Sequence, residues 1–158
     1  MCSPMFWNCQ GAASHCFLTT FKTLVNCYKP NFLALFKLRI SGERDDNFIR
    51  KCGFTISHRV EAVGFAGGIW LLWNEDIQVA VMVNNRQFIH CRISKLGRYF
   101  WVTAVYASPV RTVRKQLWPT LDILAQMVYG PWIIGGDFNT IMNAAEKRGV
   151  CWECNWCV

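Results

Sequence analysis

Apolar runs of strand length alternate along this sequence with stretches of helical period, and their order outlines a fold. Met5-Phe-Trp-Asn-Cys-Gln-Gly11 reads as a brief strand that breaks at Gly11, with Asn8 near its end. Phe17, Leu18, Phe21, Leu24, Val25 and Tyr28 then recur at intervals of three and four behind Ser14, which can cap a helix, and Pro30 ends that helix. Phe32-Leu-Ala-Leu-Phe36 is apolar throughout and predicts a second strand. A strand, a helix and a strand in so few residues make a βαβ unit with a parallel pair. Ser41-Gly42 opens a shorter charged helix through Glu43, Asp46, Phe48, Ile49 and Lys51, which Gly53 closes.

The pattern then changes. Phe54 to Arg59 alternates, and Gly68 to Trp73, Ile77 to Val83, Phe88 to Ile93 and Tyr99 to Tyr106 are all of strand type. Asn74-Glu-Asp, Asn84-Asn-Arg and Lys95-Leu-Gly supply turn compositions between them, so the middle of the chain is expected to be a set of antiparallel hairpins. Arg111 to Tyr129 restores a helical period through Val113, Leu117, Leu121, Leu124 and Met127. Trp132-Ile-Ile-Gly-Gly-Asp-Phe-Asn139 follows Gly130-Pro131 and reads as a strand buried on both faces that ends in polar side chains. On an extended chain Asp137 and Asn139 point to one side, at the mouth of a sheet, where open α/β sheets place their ligands. An equally good reading is a strand followed by an Asx turn, in which the two side chains satisfy only local backbone groups.

At 158 residues the chain suits one domain with a real core, and a hydrophobic fraction of 53% argues against disorder. Seventeen Lys and Arg against ten Asp and Glu give a net charge of +7, which suits an anionic partner such as nucleic acid. The basic residues are scattered, however, and most of the eight tryptophans sit in apolar runs that read as core. Nine cysteines at irregular spacing, with no secretory leader before them, suggest reduced thiols in an intracellular chain, nuclear or otherwise, since no address signal is legible. Cys9, Cys16, Cys27, Cys52 and Cys91 are read as mostly buried small hydrophobes. No apolar run is long enough to span a bilayer; Phe65 to Trp73 comes nearest. Residues 150–158 follow no period, and Cys151, Cys154 and Cys157 stand three apart without a fourth ligand, so an unstructured tail is expected rather than a metal module.

Taken in order, Trp7-Asn8-Cys9-Gln10-Gly11, Gly67-Gly68-Ile69, Val105-Tyr106-Ala107-Ser108-Pro109 and Gly135-Gly136-Asp137-Phe138-Asn139 resemble the endonuclease/exonuclease/phosphatase family, which includes DNase I. The likeness extends to the endonuclease domain at the front of plant LINE-type retrotransposons, and it covers residues 5–149 as a partial domain. It implies the N-terminal portion of a DNase I-like four-layer α/β sandwich, with two mixed sheets face to face and helices outside. It further implies Mg²⁺-dependent hydrolysis of DNA phosphodiesters. Residue by residue, Asn8 is similar to the asparagine near metal and phosphate, and Tyr106 to the tyrosine that hydrogen-bonds the scissile phosphate. Asp137 is similar to the aspartate that orients or deprotonates the attacking water, and Asn139 to the asparagine that holds that aspartate and the phosphate. Carboxylates and amides are the oxygen ligands that Mg²⁺ prefers.

The chain also departs from the family. Lys37, in Leu35-Phe36-Lys37-Leu38-Arg39, stands where the metal-binding glutamate is expected, and an ammonium cannot ligate Mg²⁺. Gln10 replaces a phosphate-contacting arginine. His15, His58 and His90 all precede Asp137, so the family's C-terminal aspartate–histidine pair has no counterpart. These departures make a truncated, inactive copy the expectation. The alternatives are a non-catalytic nucleic-acid-binding remnant and a fragment without a selected role.

Overall fold

The computed structural model describes residues 2–9, 15–37, 51–60 and 68–141. Among them are two four-stranded sheets. The first holds β1 (Pro4–Asn8), β2 (Phe32–Phe36), β3 (Ile56–Val60) and β4 (Ile69–Trp73) in the order β1-β2-β4-β3. The second holds β5 (Gln78–Asn84), β6 (Phe88–Lys95), β7 (Arg98–Tyr106) and β8 (Trp132–Asp137) in chain order. The helices are α1 (His15–Tyr28), α2 (Arg111–Arg114) and α3 (Leu117–Met127).

Both sheets are mixed. β1 runs parallel to β2, and β7 parallel to β8, while the remaining pairs are antiparallel. β2 and β4 are buried at every residue because they are central strands covered on both sides, which is why their sequences are apolar without alternation. One face of the first sheet, carrying Phe32, Phe36, Ile69 and Leu71, meets Ile89, Ile93, Val102 and Ala104 of the second. The other face, with Leu33, Leu35, Trp70 and Leu72, packs against Phe17 and Phe21 of α1. Leu117, Leu121 and Leu124 of α3 cover Phe88 and Val105 on the outside of the second sheet. The result is the expected four layers. Each fully buried Phe, Leu or Ile among these contributes about 1.5–3 kcal/mol relative to exposure.

Four readings need correction. The turn at Asn74-Glu75-Asp76 carries the chain from one sheet to the other rather than closing a hairpin, because β4 is apolar on both faces and β5 exposes alternate residues, the pattern of an edge. β8 is not buried on both faces: it lies at the sheet edge, with Ile133 and Ile134 38% and 40% exposed. The helical stretch after Arg111 is broken at Lys115-Gln116. Pro119 has no N–H for the Lys115 carbonyl and crowds it, so a new helix starts with Pro119 in its first turn. Among the described cysteines Cys52 and Cys91 are buried and all five are free, but Cys27 is exposed and Cys2 and Cys9 are half-buried. Burial pushes the Cys9, Cys52 and Cys91 thiols up to about 12, so they stay protonated at neutral pH.

Lys51 and Cys52 are helical and Gly53, at φ +76°, ends that turn; the rest of the helix expected from Ser41 lies outside the described residues. So do Gln10, Ser14, the side chain of Cys16, and residues 150–158 with Cys151, Cys154 and Cys157. Among the described residues no helix is long and apolar enough to cross a membrane.

His90 is a strand residue buried on the outer face of the second sheet. The Trp132 indole N–H donates to Thr103 Oγ1 at 2.8 Å, which leaves the hydroxyl proton for His90 Nδ1, also at 2.8 Å. Burial holds the imidazole below its ordinary value of 6.5. The folded chain therefore resists a proton that the unfolded chain accepts. Stability is fully present above 6.5 and falls as pH drops from there through the lower folded-state value. Urea midpoints measured downward from pH 8 should show this decline, and His90→Gln should flatten it.

Candidate functional site

The two parallel pairs, one in each sheet, end at the same rim. Asn8 closes β1, Lys37 follows the last residue of β2, Tyr106 closes β7 and Asp137 closes β8. β1 and β8 lie against each other across the sheets, which brings residues 129 positions apart into contact. Asn8 Nδ2 donates to Asp137 Oδ2 at 2.9 Å. Lys37 Nζ lies 2.8 Å from that same oxygen and 5.6 Å from the centroid of the Tyr106 ring. Tyr106 is itself nearly buried and tilts against Phe36 at 6.5 Å. Four residues that the sequence singles out, Asn8, Lys37, Tyr106 and Asp137, therefore share one cluster.

Asn139 is arranged differently from the extended-chain expectation. It sits at φ +47°, a left-handed conformation that asparagine tolerates, and its backbone N–H donates to Asp137 Oδ1 at 2.9 Å. That is an Asx turn, the second reading of the Asp137/Asn139 spacing, and it takes Asn139 off the extended backbone that the first reading assumed. Oδ1 serves the turn and Oδ2 faces the cluster. The Asn139 side chain instead donates to the Ala107 carbonyl at 2.6 Å, and Ala107 N–H donates to the Asp137 carbonyl at 2.9 Å, extending the β7–β8 pairing past the strand ends. Phe138 stacks on Trp118 of α3 at 6.0 Å and fixes the turn from outside.

The two glycines before Asp137 are required by packing. A Cβ on Gly135 would stand 2.9 Å from the Phe6 ring, and one on Gly136 would stand 1.9 Å from the Val105 carbonyl oxygen, at φ +143°. They let β8 press against β1 and β7, and so carry Asp137 to Asn8.

Two supporting residues carry no sequence signal. Gln87 is buried in the turn before β6, accepts from Ser108 N–H at 2.8 Å and donates to the Val113 carbonyl at 2.9 Å. Its carbonyl accepts from Tyr106 N–H at 2.8 Å. Arg114, 4% exposed, donates to the Ser108 and Pro109 carbonyls. Together they clamp the loop after Tyr106. Neither belongs to a motif, because each acts through a fold-dependent reach to another element.

The side chains present do not fit a divalent cation. Asp137 has both carboxylate oxygens engaged, with the Lys37 ammonium on one of them, and no group of three or more His, Cys, Asp or Glu converges among the described residues. Among the described residues Asn8 Oδ1 is a buried oxygen without a hydrogen-bond partner, its amide nitrogen facing the carboxylate.

Neither a protein-family model nor a curated protein matches the sequence. Solved structures match the fold. TDP2 from Caenorhabditis elegans superposes with a TM-score of 0.64 at 17% identity, covering 96% of this chain and 50% of that one. The endonuclease domain of TRAS1, a telomere-specific non-LTR retrotransposon, gives 0.62 at 12% identity over 87% of this chain and 58% of that one. D. rerio TDP2 complexed with single-strand DNA product gives 0.65 at 13% identity, with 90% and 62% covered. The chain thus spans half or somewhat more of the length of these proteins. From its paired mixed sheets, its helix on either outer face and its two parallel pairs meeting at one rim, this chain has the DNase I-like fold of the endonuclease/exonuclease/phosphatase proteins, in a length that corresponds to part of a domain.

Proposed function

We propose that the chain is a DNase I-like domain related to retrotransposon endonucleases of the plant LINE type, whose phosphodiester site keeps its outline but does not hydrolyse DNA. The observation that carries this is the Lys37 ammonium, 2.8 Å from Asp137 Oδ2. Phosphodiester hydrolysis needs a base that can reach a water in line with the leaving oxygen, and positive charge on the non-bridging oxygens. At this rim Asn8 and Lys37 both occupy Asp137 Oδ2 and the Asn139 backbone N–H is on Oδ1, and an ammonium in direct contact makes the carboxylate a weaker base toward a water. Lys37 could hold a phosphate as a point charge, yet it cannot supply a metal-bound water. Asn8, Tyr106 and Asn139 would keep their positions around such a phosphate without a competent base beside it.

The test is nicking of supercoiled plasmid by the purified chain with Mg²⁺. No nicking above the Asp137→Ala background is expected. Mg²⁺-dependent nicking by the unaltered chain, lost in Asp137→Ala, would overturn the proposal. The net charge of +7 favours a second reading, a non-catalytic nucleic-acid binder, for which DNA retention should fall with salt and ignore chelators.

A further inference from the structure

The opposite end of the second sheet carries a different kind of surface. There a cleft of about 420 Å³ is lined from the outer face by Gln78, Arg92, Ser94 and Tyr99, and from the strand ends by Glu75, Asp76, Lys95 and Arg98. Arg92 lies opposite Trp101 in the β6–β7 register, and its guanidinium sits 5.8 Å from the Tyr99 ring and 6.0 Å from the Trp101 ring. Trp101 stacks in turn on His90 at 5.1 Å, its ring plane within 2° of the imidazole, and donates its indole N–H to the Tyr129 carbonyl. The rings are thus held in place from behind, while Tyr99 is 48% exposed at the front.

We infer that this cleft binds single-stranded nucleic acid, with a base on the Tyr99 ring and backbone phosphates on Arg92 and Arg98. A guanidinium that lies against aromatic faces keeps its N–H donors at its edge, aimed outward, which is the geometry phosphate needs. No carboxylate among the described residues pairs with Arg92 or Arg98. Two acidic side chains share the cleft. Asp76 is taken up by Lys95 at 2.7 Å and Asn31 at 2.6 Å, and Glu75 also lines the cleft, so three cations stand with two carboxylates and leave it net positive. An exposed aromatic ring beside free cations suits an unpaired base, whose face is open to stacking, better than a duplex. The cleft is separate from the Asp137 cluster: Tyr99 and Tyr106 stand seven residues apart on β7, about 23 Å at about 3.3 Å per residue, and their side chains face opposite sides of the sheet.

The experiment is fluorescence anisotropy of a labelled single-stranded DNA oligonucleotide of about a dozen nucleotides, titrated with the whole chain at stepped salt. Salt-dependent binding is expected. Arg92→Ala and Tyr99→Ala should each weaken it by about tenfold, and Tyr99→Phe should retain it. Lys22→Ala removes an equal charge from the exposed side of α1 and should leave affinity within about twofold. Arg98→Ala, at an exposed position, tests the same phosphate contact should Arg92→Ala fail to fold by near-ultraviolet circular dichroism. Absence of binding, equal losses from Lys22→Ala and the arginine variants, or equal affinity for the duplex of the same sequence would each overturn the inference.

Discussion

Gly136→Ala should lower stability by about 2–6 kcal/mol, combining the strain of a positive φ at a non-glycine residue, about 1–3 kcal/mol, with the cost of overpacking, about 1–3 kcal/mol. The added methyl would meet the Val105 carbonyl oxygen at 1.9 Å, and this is backbone of an adjacent paired strand that cannot swing aside. A domain of ordinary stability has about 5–15 kcal/mol in all, so the variant would lose a large share of it. Gly53→Ala supplies the comparison. Gly53 also has a positive φ, at +76°, but nothing lies within 4 Å of its added methyl, so only the conformational cost of about 1–2 kcal/mol remains. Urea unfolding followed by tryptophan fluorescence would separate the two. Equal midpoints for the variants would mean that β8 does not press on β7 as described.

Substitution of Lys37 should have the next largest effect. Lys37→Met removes the cation from Asp137 and leaves the carboxylate with Asn8 and its own turn for company. Loss of one partner of a fully buried pair costs about 3–5 kcal/mol, but both side chains retain roughly a fifth of their exposure, so about 1–3 kcal/mol is expected here. Lys37→Glu places a second negative charge beside the first and should destabilise further. It also turns a cation-filled rim into one that presents two carboxylates and the spare Asn8 Oδ1, which are hard oxygen donors. Mg²⁺ or Mn²⁺ should therefore raise the melting temperature of Lys37→Glu and leave the unaltered chain unmoved. A metal-induced rise in the unaltered chain would show that the ammonium does not exclude the cation.

The candidate cluster was legible in part. Asn8, Tyr106, Asp137 and Asn139 stand at strand ends that periodicity locates, and the motif resemblance singles out the same four. What periodicity could not supply is the traffic at Asp137. The contact with Lys37 spans 100 residues and that with Asn8 spans 129, and each depends on two sheets meeting face to face. The packing role of Gly135 and Gly136 was hidden for the same reason, since the space beside them is taken by Phe6 and the backbone of β7. Gln87 and Arg114 were invisible, since a polar residue in a turn and an arginine in a charged helix are ordinary until the loop they hold is in view.

By itself the sequence determined which segments are strands and which are helices, because burial on one face or on both writes a period of two, a continuous apolar run or a spacing of three and four. It also determined that β1 and β2 run parallel, since a helix separates them. The tertiary structure alone decided that β4 and β5 belong to different sheets, that β8 lies at an edge, and that the Lys37 ammonium rests on Asp137. Periodicity reports how much of a strand is covered; which strand does the covering depends on pairings between residues far apart in the chain.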